Sequence, residues 1–327
     1  MQIMSVLSPF FELFANFLKK ILAITLVFGT TTAPATGTPI KAINPDDVRV
    51  TFTCLGDTQV NAMNGNVEYF EAILQDVDNA QTEQDAFMIV GDITENCLDA
   101  EWSDITELML EYNYGDELIL ASGNHDIRLR NYDESVKKFT KCIKKVSGKK
   151  VESFVYSTEI NGYTFIVMGS EREEMEEAYI SVEQLKWVDE TITEATSNGK
   201  PVFVMLHQPL RETHGLPLTW GDGKNKNAGH VGAQSDIIKS TLNRHKNVIL
   251  ITGHLHTGFG EYNYEKIGNI HAVNVPGAGK KNDNGEYCDY ATGYSVEVYK
   301  NEVIFRARDF GKGIYLPEYD VTIPVER

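Results

Sequence analysis

The stretch Glu117-Leu-Ile-Leu-Ala-Ser-Gly-Asn-His-Asp126 decides how this chain is read. Residues 118–121 are a short apolar run and read as a buried strand. The run ends at Ser122-Gly123, and Asn124, His125 and Asp126 follow in a row. Each of these three side chains can bind metal or move a proton, and packing alone rarely calls for all three together. The end of a strand is where an α/β fold places its chemistry.

The same pattern recurs upstream. Residues 48–55, Val-Arg-Val-Thr-Phe-Thr-Cys-Leu, alternate and are β-branched, and they run into Gly56-Asp57-Thr58-Gln59. Residues 86–90 form a second apolar strand that runs into Gly91-Asp92-Ile93-Thr94-Glu95-Asn96. Between them, behind an Asn64-Gly65 turn, Val67, Phe70, Ile73 or Leu74, and Val77 recur at helical spacing. Residues 101–112 read as another helix. Alternating strand and helix predicts an α/β sheet with right-handed crossovers. The strand ends then meet on one edge, which brings Asp57, Asp92 and Asn124 together.

Downstream, residues 133–146 read as a helix with a basic tail, Lys144, Lys145, Lys149 and Lys150, interrupted by Gly148. Asn161-Gly162 between residues 154–157 and 163–168 signals a hairpin. Ser181-Val-Glu-Gln184 fits a capping box, opening a helix with Val182, Leu185, Val188 and Ile192 on one face. Residues 202–206 form a strand that delivers His207. Residues 210–233, with His214, Trp220 and His230, form a long Gly-, Asn- and Lys-rich loop, the kind that serves as a lid or mobile insertion. After a helix at 236–245, the strand at 248–252 delivers Gly253-His254-Leu255-His256. Residues 270–275, 293–299 and 303–309 are strands with no helix between them, the last two joined by a turn at Lys300-Asn301. A strand–helix half followed by a more antiparallel half predicts one catalytic domain over residues 45–327.

The chain has 327 residues and a formal net charge of −17. That acidity favours solubility and argues against a reader of nucleic-acid duplexes. Residues 1–38 stand apart. Lys19-Lys20, an apolar run over 21–28 and Ala33-Pro34-Ala35 follow the order of a secretory signal. The apolar stretch before Lys19 keeps an uncleaved anchor open, or an amphipathic helix on the membrane through residues 1–30. Either way the expected location is extracytoplasmic, secreted or membrane-anchored. Cys54, Cys97, Cys142 and Cys288 are even in number, which fits either disulfides in an exported protein or four buried thiols.

Taken singly, each strand-end residue has a plain structural explanation. Together, Asp57, Gln59, Asp92, Asn124, His125, His207, His254 and His256 put carboxylates, carboxamides and imidazoles on one edge. Mixed oxygen and nitrogen donors suit zinc, manganese or iron rather than calcium. The donors are enough for two metal ions, and a pair about 3.5–4 Å apart is a common device for phosphoryl hydrolysis.

The ordered set Gly56-Asp57-x-Gln59, Gly91-Asp92, Gly123-Asn124-His125-Asp126, His207 and Gly253-His254-x-His256 resembles the calcineurin-like metallophosphoesterase family over roughly residues 48–310. The resemblance implies a four-layer α-β-β-α sandwich of two mixed sheets. It implies that Asp92 bridges two metals, one held also by Asp57, Gln59 and His256, the other by Asn124, His207 and His254. A hydroxide between the metals would attack the phosphate of a small phosphorylated substrate. His125 would act as general acid, with Asp126 orienting it and raising its pKa.

One position departs from the pattern. The usual first motif is Asp-x-His, and this chain has Asp57-Thr58-Gln59. A glutamine carbonyl is a harder and weaker donor than imidazole, so the first site is expected to bind more weakly or to prefer manganese or iron. Some relatives that cleave nucleotide diphosphate linkages resemble this Asp-x-Gln variant. The alternatives are a nucleotide-diphosphate pyrophosphatase, a degenerate member that binds metal or a phosphorylated ligand without turnover, and a mononuclear zinc site on His207, His254 and His256. His214 and His230 are expected to be solvated, Trp220 to stack on substrate or cover the core, and His245 and His271 to be structural.

Overall fold

Strands that alternate in polarity present two different faces, and in this chain most strands bury both. The computed structural model describes residues 37–61, 66–128, 130–220 and 229–326. Its first half runs β1 (Val50–Leu55), α1 (Val67–Asp78), β2 (Ala86–Val90), α2 (Asp99–Glu111), β3 (Glu117–Ala121) and α3 (Tyr132–Ser147). Then come β4 (Tyr156–Ile160), β5 (Tyr163–Val167), α4 (Val182–Thr196), β6 (Val202–Met205), α5 (Ser235–Leu242) and β7 (Val248–Thr252). The chain closes with β8 (Tyr264–Ile267), β9 (Ile270–Asn274), β10 (Thr292–Val298), β11 (Glu302–Asp309), β12 (Ile314–Tyr315) and β13 (Val321–Pro324).

Among the described residues these strands form two mixed sheets. One runs β12-β11-β10-β1-β2-β3, with β13 also on β11, and the other runs β4-β5-β6-β7-β9-β8. Within β1 and β2, Val50, Phe52, Cys54, Ala86, Met88 and Val90 face the other sheet, where they meet Phe165, Phe203, Met205 and Ile251. Phe52 is edge-on to Phe165 and Phe203, which stack on each other at 4.7 Å. The alternate residues Leu55, Phe87 and Ile89 pack with Phe70, Ile105 and Phe139 from α1, α2 and α3. On the far side, Ile166, Val204 and Leu250 pack with Val188, Ile192 and Ile238 of α4 and α5. The result is the expected four-layer sandwich, helices outside two face-to-face sheets.

The parallel pairs β1–β2 and β2–β3, and in the other sheet β6–β7, put the functional strand ends on one edge. The expectation of a more antiparallel later half holds for β10 to β13 and for β8 on β9, while β9 runs parallel to β7. Strands β5, β6, β7 and β9 are mutually parallel, and only β4 and β8 flank them antiparallel. Strands β10 and β11 leave that sheet and return to β1. A run of strands without helices does not reveal which sheet each one joins.

The capping box at Ser181 is half formed. Ser181 Oγ accepts from Gln184 N at 3.0 Å, but the Ser181 N–H goes to Glu171, as does the Gln184 amide. The four cysteines are free thiols, three of them buried and Cys288 half-buried. Of the loop over 210–233, residues 221–228 lie outside the described residues. Its described parts are packed down: Leu210, Thr213, Leu216 and Val231 are buried, and Val231 N donates to Pro209 O. The leader reading for 1–38 falls almost wholly on residues 1–36, outside the described residues. Among the described residues no helix is long and apolar enough to cross a membrane.

Candidate metal centre

Asp57 and Gln59 follow β1, Asp92 follows β2, Asn124 follows β3, His207 follows β6, and His254 and His256 follow β7. All but His256 are buried. The backbone at this edge is unusual. Asp57, Gln59, Asp92, His254 and His256 all have positive φ, between 38° and 74°. Non-glycine residues held there cost of order 1–3 kcal/mol each and gather at functional sites. Two glycines are needed for space. A Cβ on Gly91, itself at φ 81°, would lie 2.5 Å from His207 Nδ1, and one on Gly123 would collide with Asp92 Oδ1.

Among the described residues two groups of potential ligand atoms result, each within 4.8 Å: Asp92 with His207 and His254, and Asp57 with Asp92 and His256. Asp92 belongs to both. The three imidazoles of the mononuclear zinc alternative do not share one group: His207 and His254 meet on one side of Asp92, and His256, two residues after His254, meets Asp57 on the other.

Neighbouring hydrogen bonds aim the donors inward. His207 Nδ1 donates to Val90 O at 2.7 Å, so its Nε2 faces the centre. Backbone N–H groups hold the carboxylates: His125 N donates to Asp92 Oδ1 at 2.8 Å, and His254 N to Asp57 Oδ2 at 2.9 Å. Four buried atoms here have no hydrogen-bond partner: Gln59 Oε1, Asn124 Oδ1, His207 Nε2 and His254 Nε2. His207 Nε2 approaches Asp92 Oδ2 at 3.3 Å without forming a hydrogen bond. Buried polar atoms are rarely left unpaired. Four on one edge, all metal-ligand types, fit the demands of bound cations.

Electrostatics agree with that fit. Burial works against the Asp92 carboxylate, yet His207, His125 and His254 around it hold its pKa well below the usual carboxylate range. Burial likewise opposes a charge on His207, but Asp92 and Asp57 push its pKa up to about 10. Burial and the neighbouring His207 keep His254 neutral, far below its ordinary value.

His125 lies beside this group, its Nε2 3.8 Å from Asp92 Oδ2. Its Nδ1 is 2.7 Å from the Glu95 carbonyl. That close approach requires the proton on Nδ1, which leaves Nε2 facing the cavity. The expected role of Asp126 is corrected here. Its carboxylate accepts from Gly123 N, Ile93 N, Thr94 N and Thr94 Oγ1, and does not touch His125. Burial and the charge of Asp92 push the Asp126 pKa up to about 6 against those backbone donors. Asp126 therefore ties the β2 and β3 loops together, and the Glu95 carbonyl orients His125.

Sequence reasoning missed Glu95, Arg128 and Glu176. Arg128 Nη2 lies 3.0 Å from His125 Nδ1, and its Nη1 pairs with Glu176 Oε1 at 3.0 Å. Arg128 stands four residues after Asn124, a spacing visible in the sequence, whereas Glu176 comes from the other sheet and leaves no local signal. His214 and His230 are buried, not solvated. His214 Nδ1 donates to Tyr262 O at 2.8 Å, and His230 Nδ1 accepts from Gly232 N. His245 pairs with Asp189 at 2.6 Å and His271 with Tyr264 at 2.9 Å, both away from the centre. Trp220 stacks on His254. A cavity of about 380 Å³ opens over the centre, lined by Asn124, His125, Glu176, Trp220, His256 and Asp283 among others.

The model of the calcineurin-like phosphoesterase family matches residues 50–258, well over half of the chain. The chain belongs to the calcineurin-like phosphoesterase family. It is a metal-dependent phosphoesterase, a hydrolase. A dimetal phosphatase from Danio rerio superposes with a TM-score of 0.60 at 12% identity, covering 86% of this chain and 100% of that one. GAP50, the anchor in the inner membrane complex of Plasmodium, superposes at 0.50 and 12% identity, covering 86% and 90%. These distant likenesses show a shared fold. No curated protein sequence matches the chain.

Proposed function

We propose that this calcineurin-like phosphoesterase hydrolyses a small phosphate ester in the cavity over Asp92. In this reading Asp57, Gln59, Asp92 and His256 hold one metal ion, and Asp92, Asn124, His207 and His254 hold another, with manganese, iron or zinc as the candidates. The observation that carries it is the set of four buried, unpartnered atoms on Gln59, Asn124, His207 and His254. Bound there, the metals would supply positive charge and a water of lowered pKa.

Bound metals would offset the substrate's negative charge, and the chain's own groups do the rest. His125, with Nδ1 committed to the Glu95 carbonyl, presents Nε2 to the cavity. Protonated there, it is placed to hand a proton to the leaving alkoxide. The non-catalytic alternative rests on Gln59. Its buried, unpartnered Oε1 supports a ligand role instead. The order of residues 1–38, read as a secretory signal or a retained membrane anchor, supports an extracytoplasmic location, testable by N-terminal sequencing of the mature chain.

The test is an aryl phosphodiester assay with manganese, with and without chelator, beside elemental analysis. Two metals per chain, loss of turnover on chelation, and a large loss in His125→Ala are expected. Turnover that survives both chelator and His125→Ala refutes the reading.

A further inference from the structure

Asn124 presents a problem of orientation. Its amide is 1% exposed, and either its oxygen or its nitrogen faces the metal centre. Only the oxygen can serve a cation. The Asn124 Nδ2 donates to Glu176 Oε2 at 3.0 Å, which leaves Oδ1 turned inward and without a partner. Turning the amide over would face Oδ1 toward a carboxylate oxygen and aim an N–H at the metal.

Glu176 is itself held from two sides. Its other oxygen, Oε1, accepts from Arg128 Nη1 at 3.0 Å. Arg128 is fixed by the turn that begins at Asn124, since Arg128 N donates to Asn124 O at 2.7 Å. The Glu176 carbonyl accepts from Gln208 Nε2 at 3.0 Å, which ties the β5–α4 loop to the residue after His207. One carboxylate from the second sheet thus joins the β3 end of the first sheet to the β6 end of its own.

We infer that Glu176 is a positioning residue for metal binding: its carboxylate turns Asn124 Oδ1 toward the centre, and Arg128 holds that carboxylate in place. The inference rests on the reading of Asn124 as a ligand. Groups that orient metal ligands typically contribute about 10–100-fold in metal affinity.

The experiment titrates manganese into the full, metal-stripped chain by calorimetry, with thermal melts alongside. Glu176→Ala is expected to weaken one of the two sites about 10–100-fold and leave the other unchanged. Glu176→Gln, whose single oxygen can accept from Asn124 only by turning its amide N–H groups toward Arg128, is expected to recover part of that loss, and Arg128→Ala to lose less than Glu176→Ala. Wild-type affinity at both sites in Glu176→Ala overturns the inference. Should that variant not fold, Arg128→Ala decides alone, and wild-type affinity there overturns it equally. Asn124→Ala separates the two readings: if it leaves both sites intact, the ligand assignment has failed. If it weakens one site while Glu176→Ala does not, only the inference about Glu176 has failed.

Discussion

The indole of Trp220 lies on the imidazole of His254, with ring centroids 4.4 Å apart and planes 19° apart. The stack braces a ring whose Nε2 has no hydrogen bond of its own. Aromatic pairs of this kind contribute about 0.5–1.5 kcal/mol beyond burial. Trp220→Ala should therefore weaken metal binding at the His254 site by roughly two- to tenfold, while Trp220→Phe keeps most of the affinity. Equal manganese isotherms for Trp220→Ala and the wild type would show that the stack braces nothing.

Gln59 offers a direct exchange. Its φ of 38° lies in a region that histidine tolerates better than most side chains. Gln59→His should tighten zinc at the Asp57 site, because imidazole is the better donor for that metal. Gln59→Ala should empty that site first on dialysis. Zinc content per chain across a chelator series checks both.

Asp126 should prove structural rather than catalytic. Its two oxygens accept four hydrogen bonds, three from backbone N–H groups. Asn in its place points an N–H at donors, at a cost of roughly 2 kcal/mol or more. The expected result for Asp126→Asn is a lowered melting temperature with the acid limb of the pH–rate profile unmoved. A shifted limb at unchanged melting temperature would restore the role the sequence suggested.

Buried His214 gives the stability a pH dependence of known sign. Burial pushes its pKa down to about 4 from an ordinary 6.5. The unfolded chain therefore takes up this proton first as pH falls. The neutral ring's contribution is complete above pH 6.5 and drains away down to about pH 4, by at most about 3 kcal/mol. A His214→Gln variant should lose stability less steeply than the wild type across that window in denaturant titrations. Parallel curves would rule the contribution out.

The sequence showed the strand ends well because each couples an apolar run to a glycine and then a polar cluster, as at Ala121 to Asn124. It also placed all five described α-helices through apolar spacing and turn residues. It did not show which sheet β9 and β10 join, since alternation encodes faces and not partners. The same limit hid Glu176, which reaches Asn124 from 52 residues away. The burial of His214 depends on Tyr262, 48 residues on, so a polar loop composition misled. The family resemblance ties Asp126 to His125, whereas its hydrogen bonds run back to the β2 loop and to Gly123.

The pairing of β10 with β1 carries a practical consequence. The family match stops at residue 258, but β1 is zipped along Val50–Val298 to Cys54–Tyr294 by a strand that lies beyond it. A chain trimmed to the match would leave the backbone of β1 open along one side, with Phe52 and Cys54 losing their neighbours Tyr294, Val296 and Phe305. Open apolar edges recruit other chains. Such a fragment should precipitate even though every residue of the proposed metal centre is still in it.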